Sequence, residues 1–143
     1  MPKLLLFSPC EKIIIADDHT VSLITIFEKI QIQLPMSEDE KLPENALIPL
    51  KWFVYSLWLK EPGDEGKTFE QFVDISFPGE RSIKSEIIEF RITKERHRNV
   101  ILMPTFPVTP PGLASIKLNL REHGQQDWIL RGDYPLEIER PIP

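Results

Sequence analysis

Fourteen prolines are spread over the 143 residues of this chain, and they restrict the regular structure that it can form. A proline inside a helix removes a backbone hydrogen bond and clashes with the preceding turn, so a mainly helical fold is excluded. Between the prolines lie short stretches in which apolar and polar residues alternate, which is the pattern of a half-buried strand. About seven to nine such stretches predict an all-β protein, a single-domain antiparallel β-sandwich spanning residues 1–143.

The stretch Val21–Pro35, VSLITIFEKIQIQLP, indicates how one strand could serve both sheets of such a sandwich. Its second half alternates strictly as IQIQL, and two isoleucines upstream have the same parity. Phe27 is apolar but out of phase with them, so we expect one long strand with a bulge or bend at 27–29. A strand that bends at its middle can contribute to both sheets.

The sequence also predicts turns, strands and an edge strand in other segments. A polar turn at 17–19 predicts a hairpin, and TFEQFVDISF, 68–77, is expected to be a strand with its valine, its isoleucine and two phenylalanines inward. SIKSEIIEFRI, 82–92, fits a strand with a phase slip at its two adjacent isoleucines, although its apolar spacing also suits a helix. KERHR, 94–98, is expected to be a charged loop, and NVILMPTF, 99–106, an edge strand because it ends in prolines.

Charge and cysteine content limit the compartment and the partners. The net charge of −5 disfavours nucleic acid, since phosphate binding requires a basic surface. Cys10 is the single cysteine, so no intramolecular disulfide can form, which fits a reducing compartment. The apolar run Leu4–Phe7 is shorter than a signal-peptide core, and no stretch approaches the ~20 apolar residues of a membrane span. We therefore expect a cytoplasmic protein that binds no membrane.

Residues 10–30, CEKIIIADDHTVSLITIFEKI, resemble the opening of an uncharacterised bacterial family of small β-sandwich domains with a segment like VSLIGIFDRI. The likeness is carried by Cys10, Asp17, Asp18, Val21, Ser22, Leu23, Ile24, Ile26, Phe27 and Ile30. Thr25 stands where that pattern has glycine. Residues 112–139 are similar in their pattern of two final strands, so the resemblance covers about half of the chain. It implies a β-sandwich in a prokaryotic cytoplasm and implies no activity.

Motifs of enzymes are missing from the sequence, but its histidines suggest a possible metal site. There is no phosphate-binding glycine loop and no HExxH, CxxC or GxSxG motif, so we expect no enzymatic activity and no cofactor. If successive strands reverse direction, loops alternate between the two ends of the sandwich, and His19, His97 and His123 then share one end with Asp17. Histidine and carboxylate side chains can hold zinc or a similar ion, so these four residues form a candidate metal site.

The aromatic residues and the RGD tripeptide have simpler interpretations. Trp52, Trp58 and Trp128 could form a platform for sugar rings, but Trp52 and Trp58 share a parity on a strand that is apolar on both sides, which favours core packing. The RGD sequence at 131–133 is interpreted as a bulge at its glycine. Cys10 is expected to be a buried apolar residue rather than a nucleophile.

Two functional hypotheses follow. The first is a non-enzymatic, immunoglobulin-like interaction or accessory module, which binds a partner protein or a second copy of itself through an edge strand. The alternative is a small-ligand or metal-binding domain, with or without hydrolytic activity, that uses the loop end with His19, His97 and His123. Elemental analysis of the purified protein would discriminate between the two hypotheses.

Overall fold

The computed structural model describes residues 1–32 and 46–139. The regular secondary structure of these residues consists of β-strands. The strands are β1 (Lys3–Ile15), β2 (Val21–Ile26), β3 (Lys29–Gln31), β4 (Leu47–Ile48), β5 (Trp52–Leu59), β6 (Thr68–Phe77), β7 (Arg81–Lys84), β8 (Ile88–Arg91), β9 (Arg96–Met103), β10 (Phe106–Pro107), β11 (Gly112–Glu122) and β12 (Ile129–Glu139). None of the described residues lies in a helix long and apolar enough to cross a bilayer.

Most of these strands belong to two sheets that pack against each other. The first sheet has four strands in the order β2-β1-β5-β9. The second has six, in the order β3-β12-β11-β6-β7, with β8 also paired to β6. A separate ladder joins β4 and β10. Residues of both sheets share one apolar core, so the expected β-sandwich is confirmed.

The strands differ from the expectation in number and in one direction. The described residues form twelve strands rather than seven to nine, because several ladders are only two to four residues long. β3 runs parallel to β12 through Lys29–Gln31 and Glu137–Glu139, whereas the other ladders of the described residues are antiparallel. Alternation along a strand carries no information on the direction of its neighbour, so the sequence could not reveal this parallel pair.

The stretch that begins at Val21 is divided between the two sheets. β2 belongs to the first sheet and β3 to the second, and Phe27 and Glu28 lie between them. The Phe27 N–H donates to the carbonyl of Pro9 at 3.2 Å, and the carbonyl of Glu28 accepts from the N–H of Glu137 at 3.1 Å. These two bonds tie the bend to both sheets, and the predicted bend is confirmed. The last three residues of the stretch lie outside the described part.

The core is built by alternate residues that face inward from β5, β6, β11 and β12. The largest fully covered apolar side chains are Trp52, Trp58, Phe69, Phe106, Ile75, Ile116, Leu118, Leu120, Leu136 and Ile138. Trp52 and Trp58 are both 0% exposed, which confirms them as core residues and excludes them from a sugar platform. Gly132 follows a register shift in β12, as expected, and a Cβ there would lie 2.9 Å from Phe7, so the approach of β12 to β1 requires glycine.

The segment 82–92 contains no helix. β7 and β8 pair with different parts of β6, and the chain leaves the ladder between them. Ser85 closes this gap, because its N–H donates to the carbonyl of Val73 and its Oγ accepts from the N–H of Val73, both at 2.8 Å. The predicted phase slip is therefore confirmed, and β6 keeps backbone partners along this side.

Two strands start earlier than the sequence suggested. β1 begins at Lys3, whereas the sequence indicated a hairpin that opens at Glu11. β9 begins at Arg96, so the expectation of a charged loop over 94–98 is wrong for its last three residues. Alternation explains how a charged segment enters a strand: the arginines at 96 and 98 take the outer face, while His97 takes the inner face. The expectation that β9 is an edge strand is confirmed.

Candidate functional site

The first of the predicted metal-binding residues lie in the turn between β1 and β2. His19 adopts a positive φ of 66°, and its carbonyl accepts a hydrogen bond from Nη2 of Arg98 at 3.0 Å. Asp17 is exposed in the same turn. Its neighbour Asp18 accepts bonds from the hydroxyl (2.6 Å) and the N–H (3.1 Å) of Thr20, and these bonds lower the pKa of Asp18. The turn is thus held by local bonds and by β9.

His97 lies within β9 rather than in a loop, and its ring points between the sheets. The imidazole stacks on Phe90 with ring centres 4.9 Å apart and planes 11° apart. Its Nε2 is 2.9 Å from Oδ1 of Asn99. Neighbouring residues of a strand face opposite sides of the sheet, so the side chains of His97 and Arg98 lie on opposite faces. Because Arg98 contacts His19, the sheet separates the His97 ring from the turn that holds His19.

His123 follows β11 and belongs to a third environment. Its Nδ1 lies 2.9 Å from Oε1 of Glu70, and its N–H donates to the carbonyl of Thr68 at 2.8 Å. Nη2 of Arg121 is 3.2 Å from the other oxygen of Glu70. Burial raises the pKa of Glu70, but the bonds from His123 and Arg121 outweigh it, so the pKa lies below its usual value.

The structure does not bring His19, His97, His123 and Asp17 together. In residues 1–32 and 46–139 there is no group of three or more histidine, cysteine, aspartate or glutamate side chains placed to hold a metal ion. Counting loops assumed that each histidine lies at a strand tip, whereas His97 is inside β9 and faces the interior. Binding of a divalent ion stays a prediction, and the geometry of these side chains gives it no support.

A buried polar network beside His97 was missed by the sequence reasoning. Oε1 of Gln71 accepts bonds from Oγ of Ser56 at 3.2 Å, from Nε1 of Trp58 at 2.8 Å and from Nδ2 of Asn99 at 2.8 Å. Gln71 comes from the six-stranded sheet and its three donors from the four-stranded sheet, so the network fixes how the sheets face each other. The signal in the sequence was the inward parity of Gln71 between Phe69 and Val73.

Two further candidates for chemistry are tied into packing. Cys10 is 0% exposed, which confirms it as a buried residue, and burial raises the pKa of its thiol although a backbone bond at Lys12 opposes this. Trp128 is half-buried on the outer side of the second sheet, where its ring meets the edge of Phe72 at 4.6 Å. The guanidinium of Arg121 lies 4.1 Å from the centre of the indole, so one face of this ring is covered.

The free edge of β9 is the surface best suited to bind another chain. β9 pairs with β5 over eight residues without a register shift, and this is the only ladder it forms among the described residues. Val100 is 38% exposed and Leu102 is 50% exposed, on the same face of the strand. The backbone groups on its other side therefore have no partner strand in the described part of the chain.

A groove runs along this free edge. It has a volume of about 510 Å³ and lies between the second half of β9 and the interruption between β7 and β8. Its apolar lining includes Ile83, Ile88, Val100, Leu102 and Met103. A segment that paired with β9 would therefore have apolar surface to cover as well as backbone groups to bond.

Comparisons of the chain with protein-family models, with curated proteins and with solved structures found no match. The resemblance of residues 10–30 to a bacterial family therefore stays a prediction.

Proposed function

We propose that this protein is a non-enzymatic interaction module that binds a partner polypeptide by adding an extended segment to the free edge of β9. An immunoglobulin-like accessory domain of the bacterial cytoplasm, which binds neither nucleic acid nor membrane, is part of the same proposal. The observation that carries it is the edge of β9, eight residues long and without a register shift, which has no partner strand in residues 1–32 and 46–139. Edge strands that avoid new partners are usually short, bulged, covered or charged.

The other edges of the two sheets are short or irregular. β1 over Lys3–Pro9 and β12 over Ile129–Leu136 also have one side without a ladder among the described residues, but each of these stretches contains a register shift. β3, β7 and β8 are three or four residues long. β2 has six residues and is distorted near its end by Thr25, whose φ is 55°. Only the first part of β9 is charged, through Arg96 and Arg98, and its second part is apolar. Strand addition is therefore favoured at β9 over the other described edges.

The side chains of β9 indicate the chemistry of the partner. Arg96, Arg98, Val100 and Leu102 share the outer face, so two cations are followed by two apolar residues along one line. Side chains directly opposite each other on paired strands interact, and opposite charges stabilise the pair. On the face that meets these side chains, the expected partner segment carries carboxylates opposite the arginines and apolar residues opposite Val100 and Leu102. A second copy of β9 carries no carboxylate and fits this surface less well.

The test is selection of extended segments from a random display library, followed by binding to variants. Leu102→Lys should abolish binding of the selected segments, because lysine on an edge opposes strand pairing. Leu130→Lys is the matched control, since Leu130 is 53% exposed on β12 and lies away from β9. On the face that matches β9, selected segments should carry two carboxylates at one end and two apolar residues at the other. Segments that bind equally well to Leu102→Lys would contradict the proposal, as would a selection that yields no binder.

A further inference from the structure

A second concave surface lies on the outer face of the four-stranded sheet, next to the turn between β1 and β2. It is a cleft of about 340 Å³. Leu6 and Leu57, which pair across β1 and β5, form its apolar floor together with Tyr55, and Val21 and Leu23 of β2 also line it. Apolar side chains from three strands thus face one shallow space.

Two arginines complete the lining of this cleft. Arg96 and Arg98 are alternate residues of β9 and therefore project to the same side. No described carboxylate lies within 4.0 Å of either guanidinium. Nη2 of Arg98 donates to the carbonyl of His19, whereas its Nη1 is covered and has no acceptor among the described residues. Two positive charges thus lie beside apolar walls with hydrogen-bond donors to spare.

This combination selects a particular kind of ligand. Guanidinium groups bind carboxylates through charge-assisted bonds, and these are stronger than bonds between neutral groups. Apolar walls add affinity in proportion to the apolar surface that they cover. A small anion without a tail would gain only the first contribution, and an alkane only the second.

We propose that this cleft binds an aliphatic carboxylate, with the carboxylate at Arg96 and Arg98 and the aliphatic tail against Leu6, Leu23 and Leu57. Two sources share this chemistry: a free fatty acid of medium length and the carboxyl terminus of a polypeptide that ends in an apolar residue. The cleft lies on the face of the sheet and does not use the backbone groups along the edge of β9. Both proposals place carboxylates at Arg96 and Arg98, so octanoate and a segment added to β9 would compete for these two side chains.

The test is a titration followed by nuclear magnetic resonance, with octanoate as the first probe. For a ligand of about ten non-hydrogen atoms, a dissociation constant of roughly a millimolar is expected. Octylamine and acetate should bind at least about tenfold more weakly, since octylamine is a cation at neutral pH and acetate has no aliphatic tail. A second arm uses the N-acetylated dipeptide Val-Leu and its C-terminal amide, and preference for the free acid over the amide would identify a polypeptide terminus as a source.

Variants locate the site. Arg96→Gln should weaken octanoate binding about tenfold or more, because it removes one charged donor. Lys94→Gln is the matched control, since it removes the same charge from a residue that does not line the cleft. Leu23→Glu is a second variant, whose carboxylate would occupy the arginines and block binding. The proposal is overturned if neither octanoate nor the dipeptide acid shifts the resonances of Leu6, Leu57 and the arginines. It is also overturned if Arg96→Gln binds octanoate as tightly as Lys94→Gln does.

Discussion

Thr25 provides a test of the local geometry, because its backbone has a left-handed conformation that glycine adopts more easily. Its φ of 55° lies in the left-handed region, which costs a residue with a Cβ about 1–2 kcal/mol. Glycine avoids this cost but loses more chain entropy on folding, about 0.5–1 kcal/mol. The side chain of Thr25 is exposed, so few contacts are lost by removing it. We expect Thr25→Gly to raise the free energy of unfolding by roughly 0.5–1 kcal/mol.

Urea and thermal denaturation measure this gain directly. For a chain of this size the melting temperature should rise by a few degrees, about 2–4 °C. Ser22→Gly is the matched control, since Ser22 is exposed on the same strand and has no positive φ. It should lower the free energy of unfolding by about 0.5–1 kcal/mol. A Thr25→Gly variant that loses as much stability as Ser22→Gly would refute the left-handed conformation and the reasoning built on it.

The remaining predictions concern two core residues, Trp58 and Gln71, and the carboxylate of Glu70, which pairs with Arg121 and His123. Trp58→Ala should lower the free energy of unfolding by about 3–5 kcal/mol, the range for large aromatic truncations, as measured by urea denaturation. Gln71→Leu should cost roughly 3 kcal/mol or more in the same assay, because three buried donors lose their acceptor. The lowered pKa of Glu70 means that its stabilisation is present above the unfolded-state pKa and is lost as the pH falls through the folded-state pKa. Glu70→Gln should therefore flatten the decline in stability below about pH 5.

Each of these has a clear contrary result. An unchanged melting temperature of Trp58→Ala would remove Trp58 from the core. A neutral Gln71→Leu variant would mean that its three donors find other acceptors. If the stability of Glu70→Gln declines at low pH as steeply as that of the parent, other carboxyl groups are responsible for the decline.

The sequence predicted the architecture where one face of a strand is polar and the other apolar. The bend at Phe27 followed from a single apolar residue out of phase, and the break near Ser85 followed from a similar slip. The resemblance to a segment with glycine at the position of Thr25 is consistent with the positive φ at that residue. Alternation thus identified strands and their irregular points.

The arrangement of polar groups could not be predicted in the same way. Arg96 and His97 were assigned to a loop because charged residues usually lie in loops, yet RHRNVILM alternates if histidine and asparagine are allowed to face inward. Asn99 faces inward and bonds to Gln71, which belongs to the other sheet and is distant in sequence, while His97 stacks on Phe90 of that sheet. The packing of two sheets decides such contacts, and a pattern along one strand does not contain them.

Backbone hydrogen exchange of β9, measured by nuclear magnetic resonance, tests the central proposal most directly. In the free protein, every second amide of Arg96–Met103 should exchange rapidly, because alternate N–H groups of an edge strand point away from β5. When a selected segment is bound, these amides should become protected while those of β2, the edge strand at the opposite side of the same sheet, keep their rates. Protection of all β9 amides in the free protein, or unchanged exchange in the complex, would contradict strand addition at this edge.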